Sequence, residues 1–400
     1  MRVLLLTHYF VPEAGAPQTR LAALAEHLAA RGHDVTVHAP PPHYPDGIIR
    51  PPYRNRALAR ARRSADGTRV VRSAVYATPN RGVLRRLANH ASFALSALLT
   101  APATGRQDAV LVESPPLFTA AAGVAYARLK GAPLVVNVAD RWPASAVELG
   151  VLTNRRAIGL AEALERWCYR HATAITVPTD SMAAALDLLP EAAGKVTVVA
   201  PAVDLERFDP SPPAQRLPLK VLYAGTLGLA HDLETIIEAA ELAGPAVVEV
   251  TIVGDGARAE ALRRRAAANV RVLPAVDPAT VAALYAQADA GAVLLRDLPI
   301  FEEALPTKLL EVMAAGRPVV AALRGTAASL IRETGAGVVV DPGDAVALAR
   351  AFEALAADPA QVLRAGRAGR ACAEQRFGRQ TAVDNWERLL GSVVTSPSQR

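Results

Sequence analysis

The stretch FEEALPTKLLEVMAAGRPVV, residues 301–320, decides how this chain is read. Glu303 and Glu311 stand eight positions apart, with Pro306 and Lys308 between them. Pro306 suits the first position of a helix, where its missing N–H costs nothing. Leu309, Leu310, Val312 and Met313 give that helix apolar faces, Gly316 supplies a C-terminal stop, and the Pro-Val-Val-Ala that follows reads as a short buried strand. Glu303 then lies in a loop just before the helix, while Lys308 and Glu311, three apart, share a helical face. Free N–H groups at a helix N-terminus beside a lysine favour an anion, above all phosphate. A carboxylate accepts hydrogen bonds from hydroxyls. The pattern calls for a ligand with phosphates at one point and hydroxyls on both sides, which is the form of a nucleotide sugar.

Outward from this stretch, strand-like and helix-like segments alternate along the whole chain. The first half holds seven strand candidates, among them RVLLLTHY, DVTVHAP, AVLVE and PLVVNVAD. A proline-rich linker, VDLERFDPSPPAQRLP, follows, and the alternation restarts with KVLYAGT, VEVTIVG, VRVLPAV, AGAVLL and RPVVAA. Short apolar strands alternating with helices predict parallel sheets covered on both faces. The expected fold is α/β, with two Rossmann-like domains facing across a cleft: an acceptor-binding domain over 1–200 and a nucleotide-sugar-binding domain over 201–380. A last helix, about 380–400, is expected to pack back on the first domain. Ligands bind such sheets at the C-terminal ends of the strands, so the cleft is the expected active site.

Composition excludes several classes. The 400 residues are 51% hydrophobic and 20% charged, which suits a globular chain with ample core and not a disordered one. Cys168 and Cys372 give neither a disulfide framework nor metal-ligand spacing, and fit a reducing cytoplasm. The apolar start ends too soon, at Thr7 to Pro12, for a signal peptide, and no stretch reaches the roughly 20 apolar residues that span a bilayer. Residues 1–110 hold 15 arginines and no lysine against 6 acids, so this part carries +9 of an overall +6 and the remainder carries −3. Arg54 and Arg56 belong to the densest run. A helical stretch over 82–101 follows it, in which Arg81, Arg85 and Arg86 precede or mix with Leu84, Leu87, Phe93, Leu95, Leu98 and Leu99. An interfacial helix has this composition, and an anionic membrane surface is the expected partner. Nucleic acid is not expected, because the arginines are not interleaved with aromatics and no binding motif occurs.

The order of motifs resembles the retaining GT-B glycosyltransferases of family 4 over nearly the whole chain. FVPEAGAPQTRLAALAEHLAARGHDVTV looks like the family's opening, VDLERFDP like its linker, and VLYAGT and TIVGDG like the first strands of its nucleotide domain. FEEALPTKLLEVMAAGRPVV carries its E-x7-E signature followed by G-x-P-V. PHYPDGIIRPPYRNR, ADRWPASAVELGVL and LPTKLLE resemble the subgroup that builds bacterial O-antigen, capsule and exopolysaccharide, such as the fucosamine transferases, which act on lipid-linked acceptors at the inner membrane.

The resemblance implies a hexosyltransferase that takes a nucleotide diphosphate sugar, with uracil, or alternatively guanine, as base and an N-acetylated hexosamine as sugar. It passes the sugar to a polyprenyl-diphosphate-linked or glycan acceptor, from the cytoplasmic face of the cell membrane. Glu311 would bind the ribose and Glu303 the donor sugar, with Glu302 as its neighbour. Lys308 would meet the diphosphate, with Leu305, Pro306 and Thr307 beside it. Gly15 next to Ala16, and Gly225, would let backbone approach the donor. The family usually has an arginine after that second glycine and a lysine five further on; Thr226 and His231 stand there instead, and Arg296 is a candidate replacement. Asp140, at the end of PLVVNVAD, is a candidate catalytic residue, with Arg141 and Trp142 on the acceptor side. No D-x-D triplet occurs, so neither metal nor other cofactor is expected. Two alternatives use the same fold: a nucleotide-sugar 2-epimerase and a non-catalytic sugar-nucleotide-binding subunit. A dinucleotide-dependent dehydrogenase is not expected, since no G-x-G-x-x-G follows the first strand and no acid follows at the expected distance.

Overall fold

The computed structural model describes the chain apart from residues 14, 45, 57–59, 65–66, 80–81, 213–216 and 396–400. Asp66 and Arg81, counted above among the charges, lie outside the described residues. The chain divides into two compact units, one made of Met1–Ala200 with the segment from Ala382 onward, the other of Pro201–Thr381.

In the first unit, eight strands form one sheet: β1 (Arg2–Leu6), β2 (Asp34–Ala39), β3 (Arg60–Arg63), β4 (Arg69–Arg72), β5 (Ala109–Ser114), β6 (Leu134–Val138), β7 (Ala174–Val177) and β8 (Val196–Val198). Their order is β3-β4-β2-β1-β5-β6-β7-β8. β5 and β6 are buried along their whole length, as parallel strands covered by helices on both faces should be. One expectation needs correcting. The arginine-rich run before Thr68 contains β3, an eighth strand where seven were expected, which pairs antiparallel with β4, Arg62 opposite Val70. Three arginines in four residues offer no apolar period to read; the strand forms on the free hydrogen-bonding edge of β4, and its charges blunt the new edge.

The C-terminal helix Arg379–Thr395 places Val383, Trp386, Leu389, Leu390 and Val393 in the core of this unit, beside Val3, Leu5, Leu21 and Leu28. Arg31 locks it from outside, 2.5 Å from both Asp384 and Glu387.

The second unit has six parallel strands, β9 (Leu219–Ala224), β10 (Val248–Val253), β11 (Val270–Leu273), β12 (Ala290–Leu294), β13 (Val319–Ala322) and β14 (Gly337–Val340), in the order β11-β10-β9-β12-β13-β14. The chain builds outward from β9 to β11, then returns to the other side of β9 with β12. The topological switch point therefore lies between β9 and β12, where open α/β sheets bind ligands.

The helix after β12 runs over Thr307–Ala314. Pro306 is its N-cap, with extended ψ of 131°, and not its first helical residue as the sequence suggested. Its fixed φ fits either place, and the carbonyl of Pro306 already accepts from Leu309 N at 3.0 Å. A short helix, Pro299–Glu302, precedes it and was not anticipated. Gly291 of β12 lets Val312 come close: a Cβ at Gly291 would stand 2.4 Å from Val312 Cγ2. Three helices close the chain, Ala345–Ala357, Pro359–Arg376 and Arg379–Thr395; Asp358 caps the second through Gln361 N at 3.0 Å. Among the described residues, no helix is long and apolar enough to cross a membrane.

Candidate active site

At the switch point of the second unit, β9 ends in Tyr223-Ala224 and opens into a loop beginning at Gly225. The φ of Gly225 is +148°, and a Cβ there would lie 3.1 Å from Lys308 Cε and 3.3 Å from its ammonium. Glycine is what allows the lysine to lie over this loop. The loop is held to the segment after β12 by Arg296 N donating to Ala230 O at 3.0 Å, and to the loop after β10 by Leu227 N donating to Asp255 O at 2.9 Å. The Asp255 carboxylate is occupied by Gly256 N at 2.8 Å.

Lys308, in the first turn of Thr307–Ala314, is 8% exposed. Its ammonium donates to the Tyr223 hydroxyl at 2.5 Å and sits 3.4 Å from His231 Nε2. The Tyr223 hydroxyl in turn donates to the Thr226 carbonyl at 2.8 Å. His231 Nδ1 donates to Leu294 O at 3.2 Å, which leaves Nε2 as the acceptor facing Lys308. Burial, then the Lys308 charge, pushes the His231 pKa down to about 3, so the ring is neutral. Burial pushes the Lys308 ammonium down to about 7, with Glu311 pulling the other way. The partners that hold Lys308 are neutral. A buried ammonium so placed is short of negative charge, and an anion at this point would restore its proton.

Glu311 lies one turn further along the same helix and is half-buried. Burial raises its carboxyl pKa, and the charges of Arg207 and Lys308 oppose the rise. Arg207 stands in the turn Leu205–Arg207 of the linker, 3.3 Å from Asp204. Glu303 is half-buried at the end of Pro299–Glu302, while Glu302 is exposed. Leu305, Pro306 and Thr307 are half-buried at the approach to the lysine. Gly225, Thr226, His231, Lys308 and Glu311 are thus brought into one electrostatic neighbourhood. Sequence reading missed two of its members. Tyr223 reads as one more apolar residue of a buried strand, and Arg207 as a linker charge; only its place in the VDLERFDP signature marked it.

The remaining candidates belong to the first unit. Gly15 precedes the helix Ala16–Ala30, and its carbonyl accepts from Thr19 N at 3.1 Å. Asp140 follows β6 and accepts from the Ser145 hydroxyl at 2.9 Å; its carbonyl takes Trp142 N at 3.0 Å. The bond to Ser145 ties Asp140 to the short helix Ala144–Glu148. Arg141 and Trp142 are half-buried. Arg54, Arg56, Arg85 and Arg86 are all exposed.

Residues 15–202 match the glycosyl transferase 4-like domain, and residues 218–358 match glycosyl transferases group 1. A 2-deoxystreptamine glucosyltransferase from Streptomyces kanamyceticus is 31% identical over 309 residues, which cover 69% of this chain and 76% of that protein. The putative colanic acid biosynthesis glycosyl transferase WcaI of Escherichia coli (strain K12) is 27% identical over 371 residues, 87% of this chain and 90% of that one. Among solved structures, Anabaena HepE in complex with UDP-glucose has a similar fold, with a TM-score of 0.71 at 18% identity over 98% of this chain and 100% of that one.

Proposed function

The chain belongs to the glycosyltransferases, with the two Rossmann-like domains of the GT-B fold, and from that premise we propose that it is a retaining, metal-independent hexosyltransferase of cell-surface polysaccharide synthesis. The donor is a uridine diphosphate sugar of the N-acetylated hexosamine type, and the acceptor a lipid-linked or glycan hydroxyl. The observation that carries this reading is the buried Lys308 ammonium, held by Tyr223 and His231 at the switch point, with the Glu311 carboxylate one helical turn away. Lys308 and the first N–H groups of its helix meet the diphosphate. Glu311 accepts the ribose hydroxyls, and Glu303 and Asp140 act on the sugar and the acceptor. Charge leaving with the diphosphate falls on groups already oriented to receive it, and the leaving phosphate takes the proton of an acceptor hydroxyl attacking from the same face.

Two similar proteins agree with this reading. WcaI is described as a transferase of colanic acid biosynthesis, and HepE was solved with UDP-glucose. A peripheral place on an anionic inner membrane is supported by the helix Val83–Leu99, whose Leu84, Leu95 and Leu99 are 82%, 61% and 74% exposed and whose first turn carries the exposed Arg85 and Arg86.

The test is turnover of UDP-N-acetylglucosamine, UDP-N-acetylgalactosamine and UDP-glucose, with EDTA present, against synthetic polyprenyl-diphosphate sugars. The product anomer is read by NMR. Transfer with retention is expected. Inversion, or a requirement for added metal, would contradict the mechanism, and donor epimerised without any acceptor would point to an isomerase.

A further inference from the structure

The linker before β9 belongs to the second unit, where two arginines clasp it. Arg317 is 1% exposed. It donates to Ser211 O of the linker at 2.7 Å, and to Tyr285 O and Ala286 O of the helix Pro278–Gln287 at 2.8 and 3.0 Å. Arg370 Nη1 donates to Leu205 O and Phe208 O, both at 3.3 Å, and to Ala314 O at 2.5 Å. Ala314 is the last residue of the helix that carries Lys308 and Glu311. Val203 N adds a bond to Phe377 O at 2.8 Å. Gly316, with φ of +65°, lets the linker pass close: a Cβ there would stand 3.2 Å from Pro210 O. Backbone carbonyls met by a planar guanidinium hold a segment in one geometry. The turn Leu205–Arg207 is thus fixed to the helix of Glu311.

This clasp gives Arg207 its place. Its guanidinium is 3.3 Å from the Asp204 carboxylate, and that of Arg379 is 2.8 Å from the same group. Two guanidiniums on one carboxylate leave one positive charge over. Arg207 from the linker, Lys308 from the same helix and Tyr285 from Pro278–Gln287 are the titratable groups that face Glu311 among the described residues. Tyr285 is neutral, its hydroxyl buried and without a partner among the described residues. The Lys308 ammonium is engaged by Tyr223 and loses its proton near neutral pH. Arg207 keeps its charge throughout, and it acts on Glu311 more strongly than Lys308 does. A carboxyl group accepts from two hydroxyls at once only while it is ionised, and burial works against that.

We infer that Arg207 is a positioning residue for the donor, acting through Glu311: it keeps that carboxylate an acceptor for the ribose hydroxyls and so makes the site choose ribonucleotides over 2′-deoxyribonucleotides. The inference rests on the proposed donor site and adds to it a specificity determinant supplied by the linker. The role requires no contact between Arg207 and the ligand.

The experiment is calorimetric titration of the full-length protein with UDP and with 2′-deoxy-UDP, at about pH 6 and about pH 8. The ratio of the two Kd values is read, because whatever acts through the diphosphate, the titration of Lys308 included, affects both ligands alike and cancels. Wild type should prefer UDP about tenfold or more, the scale of one lost hydrogen bond to a charged group. Arg207→Gln should cut that preference about fivefold, the difference between a charged and a neutral acceptor, and most at the acid end. Arg207→Lys restores the charge and should restore most of the preference. Asp204→Asn breaks the same ion pair but leaves the Arg207 charge, and should keep the preference. Glu311→Ala should bind both nucleotides weakly and alike. The role is overturned if Arg207→Gln keeps the wild-type ratio at both pH values, if it weakens both nucleotides equally, or if Asp204→Asn loses the preference to the same extent. A wild type that binds neither nucleotide, or a Glu311→Ala protein that keeps the preference, would instead remove the assignment of Glu311 to the ribose, and this role with it.

Discussion

The Lys308 ammonium donates to the Tyr223 hydroxyl at 2.5 Å and stands 4.2 Å from the centre of the same ring. The aromatic ring and its hydroxyl replace the carboxylate that a buried lysine would ordinarily need. Lys308→Met should therefore leave the free protein as stable or more so, while weakening a UDP-sugar about 10- to 100-fold, the range for a lost charge-assisted bond. Calorimetric affinity and the unfolding midpoint of the same variant check both halves. A large fall in stability with donor affinity intact would assign Lys308 to the fold alone.

The titration of Lys308 sets a pH dependence of definite sign. Its folded pKa, about 7, lies below the ordinary lysine value of 10.5. Between these values the unfolded chain holds a proton that the free folded protein has lost, so this group's contribution to stability grows as pH rises through the window and is lost as pH falls toward 7. Donor binding runs the opposite way. A UDP-sugar, whose diphosphate carries fixed charge here, should bind best below about pH 7, with Kd rising up to tenfold per pH unit above it and one proton taken up per donor bound. Calorimetry in buffers of different ionisation enthalpy measures that proton. No uptake at pH 8 would mean that the diphosphate does not meet Lys308.

Gly291 controls how closely the helix carrying Lys308 and Glu311 approaches β12. Gly291→Ala should push Val312 and the helix outward, costing about 1–3 kcal/mol by overpacking, and donor affinity should fall with it. Urea unfolding and UDP affinity on one sample test the coupling; loss of stability with unchanged affinity would show that the shift does not reach the site.

Leu84, Leu95 and Leu99 bury little of their surface within the first unit. Replacing all three by serine should abolish sedimentation with phosphatidylglycerol vesicles, each leucine contributing on the order of 1.5 kcal/mol of apolar burial. Wild-type binding should weaken in salt and be poor on phosphatidylcholine. A wild-type protein that ignores anionic vesicles would remove the membrane from the account.

The sheets were legible in sequence because parallel strands buried on both faces read as unbroken apolar runs, as in LVVNV of β6 and AGAVL of β12. The helix bearing Lys308 and Glu311 was legible because spacing, proline and glycine are all local signals. What escaped was tertiary. Tyr223 and Lys308 meet across 85 residues, and His8 and Asn89 across 81. A tyrosine in a buried strand and a histidine after one carry no local mark of the partner they will find. β3 escaped for a different reason: its backbone bonds come from the edge of β4, and nothing in Arg-Ala-Arg-Arg itself asks for a strand.

The most direct test of the central claim is thermal unfolding of wild type and Glu311→Ala with a panel of UDP- and GDP-sugars. A donor at a hundred times its Kd should stabilise the wild type by roughly 2.7 kcal/mol. The expected result is that at least one UDP-sugar raises the wild-type midpoint and fails to raise that of Glu311→Ala. A folded wild type that responds to no nucleotide sugar, or a Glu311→Ala protein that responds as wild type does, would contradict it.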